Sequence, residues 1–196
     1  MKLTIVLTAV VCFVGLMFGS QTSTANRATS ISTTAGAQVE RKMPEAIQLA
    51  TESKLGSVTF NHANHVTKNY NVAGTAPIAC TECHHTAQPA SEVAKRPPLQ
   101  SAWPKDRADT LTAETLKDPK SPEVIGCRSC HARTGEKPKI WPEIPQIKYE
   151  GGTAMITLNN QQAFHRNCAG CHDVAAKDRP TIKAPKTTQC TLCHKK

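Results

Sequence analysis

Aromatic side chains are scarce in this chain: four Phe, two Tyr and two Trp in 196 residues. So little ring surface does not fill a large hydrophobic interior, which argues against a sizeable enzyme folded round its own side chains. Long apolar runs are missing too, apart from Ile5 to Phe18 at the N-terminus. That run falls short of the roughly 20 residues a membrane-spanning helix needs. Acidic excess is absent, with 24 Lys and Arg against 15 Asp and Glu and a formal charge of +9. The 13 Pro and 10 Gly leave little room for long regular elements, so the expected fold is mostly irregular, with short α-helices and a little β. Something other than side chains is expected to fill the middle.

Lys2, the apolar run and the small residues Ser23-Thr24-Ala25 read together as a secretory signal over residues 1–25. A cut after Ala37, in Ala35-Gly36-Ala37, is the alternative, and an uncleaved anchor is the weaker reading. Cys12 lies inside the run and leaves with it. Residues 26–50, rich in Ser, Thr and Ala, read as a flexible leader, and residues 51–196 as the folded domain. Export places the mature chain in the periplasm.

Eight of the nine cysteines remain after the signal, and their arrangement decides the cofactor. They fall into Cys80-Thr-Glu-Cys83-His84, Cys127-Arg-Ser-Cys130-His131, Cys168-Ala-Gly-Cys171-His172 and Cys190-Thr-Leu-Cys193-His194. Each is a CxxCH, the attachment motif of c-type haem. On one helical turn, residues i, i+3 and i+4 share a face, so two thiols can add to two vinyl groups while the next imidazole reaches the iron. Disulfides or zinc sites explain a single CxxC as well. They do not explain a histidine after every pair: with His at 8 of 196 positions, four such coincidences have odds of a few in a million. The expectation is four covalent haems c per chain.

Four histidines lie outside the motifs, His62, His65, His85 and His165, one for each iron. Methionine is the usual rival as sixth ligand, but the mature chain keeps only Met43 and Met155. Bis-histidine ligation throughout is the economical reading, and it implies low potentials, because methionine ligation is what raises them. Two pairings are excluded at once. His84 and His85 are adjacent and cannot approach one iron from opposite faces. His165 and His172 are seven apart, and on one helix over Asn160 to Asp178 they point from one face about two turns apart. Each such ligand ties one haem's polypeptide to another haem, which forces a compact cluster.

The order Phe60-Asn-His62-Ala-Asn-His65, then Cys80 to His85, then His165 before Cys168 to His172 and a closing CxxCH, resembles the class III cytochromes c, the tetrahaem cytochromes c3. The likeness covers roughly residues 55 to 85 and 125 to 196. It implies a compact fold organised around four haems. It also implies a ligand set: Cys80, Cys83, His84 and His62 for haem 1; Cys127, Cys130, His131 and His85 for haem 2. Haem 3 would take Cys168, Cys171, His172 and His65, and haem 4 would take Cys190, Cys193, His194 and His165. Both geometric exclusions are respected. The chain departs from the family in using CxxCH throughout, where many cytochromes c3 space the cysteines of haems 2 and 4 more widely. Its tight His165 to Cys168 spacing is similar to the trihaem c7 proteins.

Residues 86–126 are the largest departure, an insertion of 41 residues with Arg96-Pro97-Pro98, Trp103-Pro104 and Ser121-Pro122. A short helix is expected over Ala108 to Lys117 and loop elsewhere. A second irregular region carries Trp141 and then a hairpin, Gln146–Tyr149 with Thr153–Leu158, around Glu150-Gly151-Gly152. A strand at Val58-Thr59-Phe60 is expected to lead into His62. Trp103 and Trp141 are candidates to cover haem faces or to anchor loops.

From His165 onward seven basic residues face two acidic ones, Asp173 and Asp178, whereas residues 86–126 carry six of each sign. Counting about −1 for each ferric haem with ionised propionates, the mature holoprotein sits near +4. Export and propionate pairing remove the case for nucleic acid. Lys183, Lys186, Lys195 and Lys196 are instead the candidate docking surface for an acidic redox partner. The resemblance implies partners such as a hydrogenase, a dehydrogenase or a membrane-bound cytochrome complex, with the chain shuttling electrons in anaerobic respiration. The alternative is a small multihaem reductase with one open haem site beside the insertion.

Overall fold

The computed structural model describes residues 41–99, 101–140 and 144–196. The expected signal, the leader as far as residue 40, and Trp141 lie outside them. Three short strands make the main sheet: β1 (Ile47–Leu49), β2 (Ser57–Phe60) and β5 (His194–Lys195), in the order β1-β2-β5, all antiparallel. Register pairs Ile47 with Phe60 and Val58 with His194. The expected strand before His62 is therefore present, bracketed by two that sequence reading missed. One of these, β1, corrects the leader boundary: residues 47–49 belong to the fold, because β2 offers them a pairing edge. Arg41 is tied in as well, its guanidinium donating to the Ser121 carbonyl at 2.5 Å.

The helices are short. They are α1 (His62–Thr67), α2 (Cys80–Cys83), α3 (Ala90–Val93), α4 (Ala113–Lys117), α5 (Cys127–Cys130), α6 (Asn160–Phe164), α7 (Gly170–Asp178) and α8 (Cys190–Cys193). One π turn, His165–Ala169, joins α6 to α7, so Asn160 to Asp178 is a single helical rod. Its start is fixed by a capping box: Asn159 accepts from the Gln162 amide and Gln162 accepts from the Asn159 amide. The expected hairpin is present in a shorter form, β3 (Ile147–Lys148) with β4 (Met155–Ile156). Glu150 and Gly151 both have positive φ, 46° and 75°, as a tight hairpin turn of the primed kind requires.

Within 86–126 the structure differs from the expectation of loop. Ten described residues are buried, and seven of them, Ala87, Gln88, Val93, Ala102, Arg107, Leu111 and Ser121, lie in this stretch. Leu111 donates its amide to the Ala87 carbonyl at 2.9 Å and Trp103 to Thr86 at 2.9 Å, so the segment closes on a small core of its own. Burying Leu111 and Val93 contributes about 1.5–3 kcal/mol each toward holding this segment. The helix expected over Ala108–Lys117 forms only at Ala113–Lys117, because Thr112 caps it with Thr115 in a capping box. Trp103 is half-buried, and Arg107 donates to its carbonyl at 3.3 Å. Outside this insertion Thr81, Ala175 and Ala176 are the buried residues, so the polypeptide supplies little interior around the CxxCH motifs. Among the described residues, no helix is long and apolar enough to cross a membrane.

Candidate functional site

Three of the four CxxCH motifs are isolated helical turns, α2, α5 and α8, each ending on its histidine. His84, His131 and His194 have left the helix, with ψ of 58°, 88° and 127°, while their amides still bond the first cysteine's carbonyl. The shared face expected for i, i+3 and i+4 therefore holds for the cysteine pairs, and the histidine swings off the end of the turn. In the third motif Cys168 sits in the π turn, with Cys171 and His172 in α7.

Imidazoles distant in sequence meet in pairs. His62 and His84 have ring centres 6.4 Å apart, His85 and His131 6.3 Å, and His65 and His172 6.2 Å. A first-row metal binds imidazole nitrogen at about 2.0–2.1 Å, and that nitrogen lies roughly 1.1 Å from its ring centre, so two rings gripping one ion from opposite sides stand about 6.2–6.4 Å apart. All three spacings fall in that window. Their interplanar angles of 75°, 53° and 28° are compatible with it, since each ring is free to rotate about the axis joining the pair.

His62 and His65 lie three apart on α1, which Asn61 caps by accepting from the Asn64 amide at 3.0 Å. They diverge toward different partners because Phe60 packs against both, at 5.7 Å from the ring of His62 and 4.7 Å from that of His65. Tyr70 closes the other side of His65 edge-on at 5.6 Å. Sequence reading quoted Phe60 without giving it this task. An aromatic two residues before the first histidine was the available signal.

Backbone carbonyls orient six of the eight rings, a feature no sequence pattern announces. The Nδ1 atoms of His62, His65, His84, His131 and His194 meet the carbonyls of Pro44, Asn61, Ile125, Leu158 and Gly56 at 2.8–3.3 Å, and His172 bonds that of Pro185. A carbonyl only accepts, so Nδ1 carries the proton and Nε2 keeps its lone pair for a metal. Burial lowers the pKa of His84 and His172 and pushes His85 down to about 4, keeping these rings neutral, as ligation requires. His85 differs in one respect: its Nδ1 is buried with no hydrogen-bond partner among the described residues.

His165 stands apart. Its ring makes no contact with that of His194. With Tyr149, Glu150 and Asp173 it lines a separate cavity of about 440 Å³. The π turn supplies the reason: seven residues of pure α-helix return to one face, whereas a wider turn lags behind. His165 thus shares its cavity with Asp173, and the expected common face with His172 is lost.

None of the eight motif cysteines is paired in a disulfide. Desolvation pushes Cys83 up to about 11 and Cys168 up to about 12, although part of Cys168 still faces solvent. Cys83, Cys127, Cys193 and Cys171 push the Cys168 thiol in the same direction, so at least one cysteine of each other motif lies within electrostatic reach of it. Among the described residues no group of three or more His, Cys, Asp or Glu is disposed to hold a metal ion. Around His85, Cys127, Cys130 and His131 lies a cavity of about 400 Å³, walled by Ile125, Ile147 and Leu158 and by Arg96, Pro97, Pro98 and Leu99 of the insertion. Lys183, Lys186, Lys195 and Lys196 are all exposed.

A sequence profile of the class III cytochrome c family matches residues 37–146. The match takes in the stretch 86–126 and the first two CxxCH motifs. Among curated proteins the chain is similar to cytochrome c3, 26 kDa, of Desulfomicrobium norvegicum (strain DSM 1741 / NCIMB 8310), with 23% identity over 159 residues, 78% of this chain and 96% of that one. No solved structure matches the chain significantly.

Proposed function

The chain belongs to the class III cytochrome c family, which implies covalently bound haem c, and from that premise we propose a periplasmic, low-potential electron carrier with four such groups. The reading rests on the three imidazole pairs at 6.2–6.4 Å, each joining a CxxCH histidine to one of the four others. His62 and His84 hold haem 1, His85 and His131 haem 2, and His65 and His172 haem 3, with the flanking cysteines as thioether anchors. Cys190, Cys193 and His194 would hold haem 4, and His165, the remaining histidine, would complete it.

Bound haem c supplies a one-electron Fe(III)/Fe(II) couple. The protein's part would be to hold each group between two imidazoles and, through their hydrogen bonds and burial, to set its potential. Carbonyls on Nδ1 make the rings more basic and favour the ferric state, which keeps potentials low. Because His84 and His85 are bonded neighbours serving different irons, one peptide unit links the first two sites. The electrostatic reach of Cys168 to a cysteine of each other motif supports short paths throughout. Transfer among enzymes of anaerobic respiration is the physiological role we assign.

A second reading has one observation in its favour. Among the described residues His165 lines a cavity with Tyr149, Glu150 and Asp173 and is not paired with the ring of His194, and a reductase would use a haem with one position left open. A carbon monoxide difference spectrum of the reduced holoprotein separates the two. No binding is the expected result for the carrier; one equivalent bound at the Cys190–His194 haem establishes the open site and overturns full bis-histidine ligation.

A further inference from the structure

The insertion places Pro97, Pro98 and Leu99 against the cavity of His85 and His131. This wall is held from several directions. Val93, 1% exposed, roots it in the insertion's own core; successive turns bond Arg96 to Val93 and Leu99 to Arg96 at 3.0 Å; and Arg96 pairs with Glu82 of α2 at 3.0 Å. Pro97 and Pro98 are exposed on their outer side and Leu99 is half-buried, so the wall is a thin cover anchored at its base. Behind it, His85 alone among the paired rings leaves Nδ1 buried with no acceptor among the described residues.

Building on the bis-histidine reading, we infer that the insertion makes the second haem site the electron-retaining one, with the highest potential of the four. Two independent features push the same way. Pro97, Pro98, Leu99, Ile125, Ile147 and Leu158 limit water at this site, and Arg96 and Arg166 in its lining outnumber Glu82; both disfavour a ferric iron, which carries one more positive charge than the ferrous. A ring without a carbonyl on Nδ1 is a weaker donor, which again favours the ferrous state. The same wall removes this site from direct exchange with a partner, so electrons reach it through the first site, across the His84–His85 link. Filling it is a one-electron reduction of Fe(III) to Fe(II), for which dithionite is a sufficient reductant in vitro.

Stepwise dithionite reduction of the holoprotein, followed by NMR, tests the inference, with the second haem identified by its nuclear Overhauser contacts to Leu99 and Leu158. It is expected to be reduced first. In Leu99→Glu its reduced-to-oxidised ratio at fixed solution potential falls by about tenfold, the scale of a unit charge roughly 10 Å away in a protein interior, while the other three hold. Leu99→Asn gives a smaller shift of the same sign and guards against misfolding of the charged variant. A low-spin second haem that is not reduced first, or variants that move all four equally, overturn the inference alone. A missing or high-spin haem at Cys127–His131 sinks the ligand reading and this inference with it.

Discussion

The rings of His65 and His172 lie 6.2 Å apart and within 28° of parallel, although one belongs to α1 and the other to α7. Phe60 and Tyr70 hold His65, and α7 with the Pro185 carbonyl holds His172, so each ring is fixed before the pair forms. Removing one leaves the other in place with a vacancy opposite. His65→Ala is therefore expected to convert one low-spin haem to a carbon monoxide-binding one, with one equivalent bound over the wild-type spectrum. Titration of the reduced variant with the gas measures this, and an unchanged spectrum means that another residue closes the site.

Gly56 connects the sheet to the fourth motif. Its φ is +98°, a Cβ there would lie 2.2 Å from the Lys195 carbonyl oxygen, and its own carbonyl orients His194. Gly56→Ala must strain the backbone, displace β5, or both, at a cost of about 2–3 kcal/mol. Gly151→Ala, with φ +75° but open space around it, costs only about 1 kcal/mol. Chemical denaturation of the two holoproteins checks the ranking, and only Gly56→Ala should disturb the spectrum of the haem at His194.

How far the sequence discloses this site depends on whether a feature is local. The CxxCH turns, the capped rod from Asn160 to Asp178 and the hairpin at Glu150-Gly151 are short-range patterns, and they were legible. The pairings of His62, His65 and His85 reached the sequence reading only by resemblance to a family, since three residues of helix cannot say which partner each ring finds. The carbonyl acceptors of Pro44, Ile125, Leu158 and Gly56 were invisible, because any residue offers a carbonyl. The core of the insertion was missed for a similar reason. Ala87, Ala102 and Leu111 show no periodicity and are joined by turns built around prolines.

Acid should destabilise the protein through its buried rings. His85 has a folded pKa of about 4 against an unfolded value near 6.5, so between those values the unfolded chain binds a proton that the native state does not. The stability held by the neutral ring is complete above about pH 6.5 and is lost as pH falls through about 4, by roughly 3 kcal/mol. His84 and His172 are shifted in the same direction by the same cause, and iron ligation adds to it. The urea midpoint of the holoprotein is expected to fall steadily from pH 7 to pH 4; a flat profile contradicts the burial of these rings.

Docking is the remaining expectation that charge alone motivates. Lys183, Lys186, Lys195 and Lys196 are exposed on either side of the fourth motif in the chain, and Leu192 within that motif is 52% exposed. Lys195 also donates to the Thr191 carbonyl at 2.7 Å, which holds it beside α8. Long-range attraction to an acidic partner acts on the encounter rate and is screened within about 10 Å at 0.1 M salt. Replacing all four lysines by glutamine is therefore expected to slow reduction by a periplasmic hydrogenase under hydrogen about tenfold or more at low ionic strength. At high salt the variant and wild type should converge, and the haem potentials should not move. A rate that is unaffected at low salt removes this surface as the docking site; a loss that persists at high salt assigns the lysines a contact role in the bound complex.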